Sequence, residues 1–235
     1  MLKLLIIIIL SIIFFLCFSK KEFINQQKEE EISQPDSLSN YFLFDYIQSL
    51  AAEDYTVKLD SIKNGESNDF FTLRMAYTKT KEYSPYETDI SDSLEKVRTL
   101  IDSSQFDEAL SILEYIQEHN FVNITSHLYS GYIYKELGDS IKSDFHYTIY
   151  EGLLNSIYES GDGITHKTAY IVITTDEEYA FLEWFDLQFN EQTLISSDGY
   201  SFDLMKVADP DTKERHEIYF NIELAFDMLR KTFGK

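Results

Sequence analysis

The sequence predicts an α+β protein: an N-terminal α-helical half built of helical hairpins, then a small, mainly antiparallel sheet with one or two packed helices. Three observations carry that prediction. From Tyr41 to Tyr158 apolar residues recur at the three- and four-residue steps of a helix. Within that stretch, Ala109 and Ser143 occupy equivalent places in two similar segments 34 residues apart. After Ser160-Gly161-Asp162-Gly163 the texture changes, and Ser197-Asp198-Gly199 separates two strand-like segments.

The first segment is a leader. Met1-Leu2-Lys3 precedes an uncharged run from Leu4 to Phe18, and Ser19-Lys20-Lys21 follows. That run suits a secretory signal and falls short of the ~17–20 residues that span a bilayer. Cys17 and Ser19 occupy the small-x-small positions before Lys20, so cleavage after Ser19 is expected, leaving a secreted or periplasmic protein with no membrane attachment. The alternatives are a retained membrane anchor and a lipoprotein cut before Cys17, the latter disfavoured by the bulk of Leu16. Cys17 is the one cysteine of the chain, so removal of residues 1–19 also removes disulfides, thiolate catalysis and Cys-ligated zinc.

Residues 20–40 are polar, with Glu29-Glu30-Glu31 and Pro35-Asp36, and read as a flexible tether. The helical half, 41–160, opens with a helix near Tyr41–Leu50. A short one over Tyr55–Lys63 is stopped by Asn64-Gly65, and one over Phe70–Thr80 is capped by Asp69. Ser84 precedes Pro85, so the chain leaves the helix there. Two hairpins follow: Ser93–Leu100 with Phe106–Glu118 across Asp102-Ser103-Ser104, then Ile124–Leu137 with Ile141–Tyr158 across Gly138-Asp139.

The 34-residue offset is the tetratricopeptide period, and Gly131, Tyr134, Leu137, Gly138 and Tyr147 fall where that motif wants a small residue, an aromatic, a leucine, a turn glycine and an aromatic. Arrays of this kind need about three units, so the flanking helices or the C-terminal half must cap these two.

The C-terminal half, 161–235, begins with a buried strand over Ala169–Ile173. Thr175-Asp176 then caps a helix over Glu177–Phe185, the hairpin Glu191–Ser196 and Tyr200–Val207 follows, and a strand over Glu217–Phe220 leads to a helix over Glu223–Phe233 capped by Asn221.

The strings Thr72-Leu73-Arg74-Met75-Ala76-Tyr77-Thr78-Lys79-Thr80, Tyr83-Ser84-Pro85-Tyr86, Ser197-Asp198-Gly199-Tyr200-Ser201-Phe202-Asp203 and Ile218-Tyr219-Phe220-Asn221-Ile222 carry a family resemblance. With them and the helical-repeat middle, the chain resembles an uncharacterised secreted "domain of unknown function" family of Bacteroides-group bacteria over roughly Tyr55 to Phe233. The resemblance implies periplasmic secretion, a helical half and a small β-containing half, and it brings no activity or catalytic residues.

Charge narrows the function. With 41 acidic residues against 20 Lys and Arg the net charge is −21, and no segment gathers enough positive charge to follow a phosphate backbone, which excludes nucleic acid. The same acidity disfavours an anionic membrane surface and suits a cationic partner. The five histidines, His119, His127, His146, His166 and His216, lie in no Gly-x-Ser-x-Gly elbow and no His-Glu-x-x-His pair, and no phosphate-cradling glycine loop or cofactor motif is present.

A hydrolytic or metal-dependent periplasmic enzyme would have to bring His166 and His216 together with Asp198, Asp203 and Glu217. Asp209-x-Asp211-x-x-Glu214 has oxygen ligands at calcium-like spacing, but it contains Pro210 and lacks the loop glycine and distal glutamate. Tyr129, Tyr132, Tyr134, Tyr147 and Tyr150 resemble a sugar-stacking platform in composition, but their helical spacing makes them packing residues first.

The leading expectation is a non-enzymatic binding or scaffold protein. Its groove is expected along the first helix of each hairpin, at Leu94, Arg98, Ile101 and Asp102 and at Leu128, Tyr132, Lys135 and Glu136, taking a protein or peptide partner of the cell envelope.

Overall fold

The computed structural model describes residues 40–86 and 88–233. The expected leader, and the tether as far as residue 39, lie outside them. The order is α1 (Asn40–Ser49), α2 (Ala52–Lys63), α3 (Phe70–Tyr77), α4 (Thr88–Asp102), α5 (Phe106–His119), α6 (Ile124–Glu136), α7 (Ser140–Tyr158), a 3-10 turn (His166–Thr168), β1 (Tyr170–Ile171), α8 (Thr175–Trp184), β2 (Gln188–Ser197), β3 (Tyr200–Ala208), β4 (Arg215–Asn221) and α9 (Glu223–Phe233). It is an α+β fold, with the helices mostly ahead of a four-stranded sheet.

Local chemistry sets these limits. Side chains of Asp69, Asn123 and Asp139 accept backbone N–H bonds from Thr72 (3.0 Å), Ser126 (2.8 Å) and Lys142 (3.1 Å), starting α3, α6 and α7. Gly138, at φ 80°, turns the chain between α6 and α7. Asp198 (φ 53°) and Gly199 (φ 86°) both take left-handed backbone, the two-residue geometry that matches strand twist in a tight hairpin.

Several limits differ from the sequence reading. Helix α2 starts at Ala52 rather than Tyr55, because the Asp54 carboxylate reaches back to the Ala51 N–H at 2.8 Å. Helix α8 is capped by Thr174, not by Thr175-Asp176, through a bond from the Glu177 N–H to the Thr174 hydroxyl. Ala169–Ile173 is buried throughout, as a strand should be, yet only Tyr170–Ile171 joins the ladder.

The sheet runs β1-β4-β3-β2, antiparallel except for the parallel β1–β4 pair. One core draws on both sides of Gly161: Phe44, Ile62, Phe70, Leu73 and Leu153 pack in the same cluster as Ile171, Phe181, Met205 and Phe220. A satellite core of Val97, Leu100, Ala109, Leu113 and Ile133 holds α4, α5 and α6 together. Where α3 crosses α7, the ring of Phe70 lies against the backbone of Gly152, and a Cβ there would come within 2.1 Å of it.

Candidate functional site

Helix α3 is buried almost all round, and at its centre Arg74 is fully removed from solvent. Its guanidinium forks onto the Glu177 carboxylate, with Nε 2.8 Å from Oε1 and Nη2 2.6 Å from Oε2. The same Nη2 donates to the Ile171 carbonyl (2.9 Å) and Nη1 donates to Ser156 Oγ (3.1 Å). Glu177 Oε2 also accepts the Ile173 N–H (2.8 Å), and the Tyr83 hydroxyl donates to the Ile173 carbonyl (2.7 Å). Side chains therefore take the backbone groups that a further strand would have used. This ends the sheet at β1, and it seats the N-terminus of α8 against α3 and α7.

So placed, α8 forms one wall of an open cleft of about 420 Å³. Ser91, Leu94, Glu95 and Arg98 of α4 line one side, Thr125 and Tyr129 of α6 the floor, and Asp176, Tyr179, Ala180 and Glu183 of α8 the other. A second hollow lies across α8, lined by Leu182, Asp186, Phe189 and Pro210 and sharing Tyr179 and Glu183 with the first. Of the charged groups named, Glu95, Asp176, Glu183 and Asp186 are acidic and Arg98 is basic; Arg98 Nη1 lies 3.8 Å from Glu95. Burial raises the Asp176 carboxyl above its usual range, with the neighbouring Glu177 charge adding to it.

Leu94 and Arg98 thus sit in the cleft. Ile101 packs on the satellite core, and Asp102 is exposed at the end of α4. On α6 the residues turned to the cleft are Thr125 and Tyr129, one helical step from the expected set. Leu128 is half-buried, Tyr132, Lys135 and Glu136 are exposed, and Tyr132 and Glu136 lie within electrostatic reach of Tyr147. The start of this helix at Ile124 was legible, but which of its faces meets α8 is decided by the packing of that later helix, and no local pattern reports it.

Two further clusters lie outside the cleft. Glu178 is fully buried and neither of its oxygens meets a donor. It faces Asp203 of β3, which accepts from Gln192 Nε2 at 2.6 Å. Burial first and the Asp203 charge second push Glu178 well above the usual carboxylate range, and burial raises Asp203 as well.

In the helical half, the buried His127 donates from Nε2 to the Phe121 carbonyl (2.8 Å), and its Nδ1 lies 3.0 Å from Nδ1 of His146. Since His127 donates on one side, its Nδ1 accepts and His146 supplies the proton. Burial, with the partner ring second, holds His127 down at about 3, and burial with the Lys142 charge holds His146 at about 4.

The groups named for a hydrolytic centre do not converge. His166 lies 3.5 Å from Asp198 and edge-on to Phe202, whereas His216 pairs with Val207 farther along β3. Five strand residues at ~3.4 Å each separate those positions by about 17 Å. Asp203 is turned to Glu178, and Glu217 pairs across from Lys206. In the Asp209 loop the Asp209 carboxylate accepts the N–H groups of Asp211 (2.8 Å) and Thr212 (3.0 Å) and serves as a turn cap. Among the described residues no group of three or more His, Cys, Asp or Glu is arranged to hold a metal ion, and no helix among them is long and apolar enough to cross a membrane.

A family model described as a domain of unknown function, DUF4919, matches residues 33–231, nearly the whole chain. The chain belongs to the DUF4919 family. No curated protein and no solved structure matches this DUF4919 chain. The matched span takes in both halves, so the buried Arg74–Glu177 junction and the cleft beside α8 lie within the family's domain.

Proposed function

We propose that this DUF4919 protein is a secreted or periplasmic, non-enzymatic binding or scaffold protein. Its α4–α6–α8 cleft takes an extended, basic segment of a protein partner in the cell envelope. The leader-like Leu4–Phe18 run supports the location, and the tetratricopeptide-like register of α4 to α7 supports a groove along α4 and α6.

The observation that carries the reading is the trough itself. Two hollows meet over Tyr179 and Glu183, and the acidic groups along them exceed the one cation, Arg98. A Lys- or Arg-bearing strand of partner chain could lay its stems on Leu94, Tyr129 and Tyr179 and its charges beside Glu95, Glu183 and Asp186. The rival reading, a hydrolase built on His166 and His216, has no point from which both imidazoles reach one reacting atom.

Crosslinking in intact cells followed by mass spectrometry tests the proposal. Wild-type chain should give crosslinks from cleft residues to basic segments of one partner, and Tyr129→Ala with Glu183→Lys should abolish them; an unchanged crosslink set removes the cleft from the proposal. The intact mass of the same material shows whether Lys20 is the first residue.

A further inference from the structure

The two edges of the sheet are finished in opposite ways. At one edge β1 has two residues, and Arg74, Tyr83 and Glu177 occupy the backbone groups beside it. At the other edge β2 runs for ten residues, and among the described residues β3 is its one sheet neighbour. Every residue from Gln188 to Leu194 is exposed. Natural edges are normally blunted by a short strand, by lysine or proline, by a bulge or by a covering element, because the free N–H and C=O row templates another strand. Strand β2 has neither lysine nor proline, and its single irregularity, between Phe189 and Glu191, sits at one end and leaves Glu191–Ser197 in regular register.

We propose that the outer edge of β2 pairs, antiparallel and across a two-fold axis, with β2 of a second copy of this chain, joining two four-stranded sheets into one of eight.

Charge selects that occupant. In a chain of net charge −21, β2 carries one charged residue, Glu191, whose carboxylate is neutralised by Lys206 at 3.1 Å. The edge therefore offers a basic strand no free charge to attract it and lays no charge against its own copy. Its remaining side chains are uncharged, and Leu194, 54% exposed at the centre of the regular stretch, would meet its own counterpart near the axis. On the same face Phe189 is 38% exposed beneath the edge of Tyr179, 41% exposed, so an apolar strip follows the backbone row. Apolar pairs directly across neighbouring antiparallel strands stabilise such a junction, and a two-fold interface is self-complementary by construction. This inference does not depend on what the cleft binds.

The repulsion opposing dimerisation is spread over the rest of each copy, so it is screened by salt: the Debye length falls from about 10 Å at 0.1 M to about 3 Å at 1 M. Sedimentation equilibrium of the protein purified from cells expressing the full sequence, at low and high NaCl, therefore tests the proposal. A dimer is expected whose dissociation constant falls as salt rises. Leu194→Lys and Thr193→Lys, on opposite faces of the strand at exposed positions, should each raise that constant about tenfold or more by setting like charges together across the axis. Val57→Lys, on an exposed face of α2, changes net charge equally and should leave the constant within about twofold. A monomer at all salt concentrations, a dimer that loosens with salt, or a dimer indifferent to both β2 substitutions overturns the proposal.

Discussion

Burying Arg74 against Glu177 takes two charges out of water, and the pair persists because every remaining donor and acceptor in reach is used: Ser156 Oγ, the Ile171 carbonyl and the Ile173 N–H. Removing one partner is therefore the damaging change. Arg74→Met strands the Glu177 carboxylate and should cost about 3–5 kcal/mol in chemical denaturation. Arg74→Met combined with Glu177→Leu should cost clearly less than the sum of the single changes, and strict additivity in that cycle would show that the two side chains do not act as a pair. The Thr72–Tyr77 string was conspicuous in the sequence, but its helical spacing showed apolar faces, not a charge at the centre of the molecule. Arg74 and Glu177 are 103 positions apart, and no local pattern reports a pairing at that separation. Glu178 was equally silent, since one buried acid among 41 acidic residues has no signature until the fold sets it against Asp203.

At the scale of elements, what was legible was what is decided locally. The Asp198-Gly199 turn, the Asp69 cap, the Asn221 cap and the two central hairpins follow from side-chain bonds or backbone preferences spanning four residues or fewer. Ala169–Ile173 read correctly as buried and incorrectly as a full strand: beyond the two ladder residues, the Ile173 N–H and C=O are held by Glu177, in the helix that follows, and by Tyr83, in the loop after α3. Helix packing gives a second contrast. Alanine in place of glycine ordinarily favours a helix by about 1 kcal/mol. At Gly152 the added methyl would meet the buried Phe70 ring at 2.1 Å, and overpacking of about 1–3 kcal/mol should win. At Gly131 it would meet the Tyr147 ring at 3.1 Å, and that ring is only half-buried and can yield. Thermal unfolding should show Gly152→Ala below wild type by several degrees and Gly131→Ala at or above it; equal shifts would mean that Phe70 is not fixed over α7.

For the whole molecule, the change of texture at Gly161 marks where helices give way to the sheet, while the main core passes straight across it. The three leading helices and the sheet supply the apolar surface that two hairpins lack, so stability should respond as one unit, and its pH dependence reports two opposed clusters. His127 is held neutral with a folded-state value of about 3, below the ~6.5 of an unfolded histidine, so its contribution is complete above pH 6.5 and is lost as pH falls toward 3. By pH 5 that loss is about 2 kcal/mol, with a smaller addition from the more exposed His146. Glu178 acts in the other direction: its folded-state value is raised, so its contribution is complete below about 4.5 and is lost as pH rises. Between pH 6.5 and 5 the two partly cancel, and relief of the −21 charge adds to the Glu178 side. The histidine effect therefore has to be read by difference. In a Glu178→Gln background, unfolding free energy should fall from pH 6.5 to 5, and adding His127→Gln, which keeps a donor and an acceptor but does not titrate, should remove about 2 kcal/mol of that fall. The same slope with and without His127 would mean that the imidazole pair is hydrated and charged, and that the helical half is open at α6 and α7.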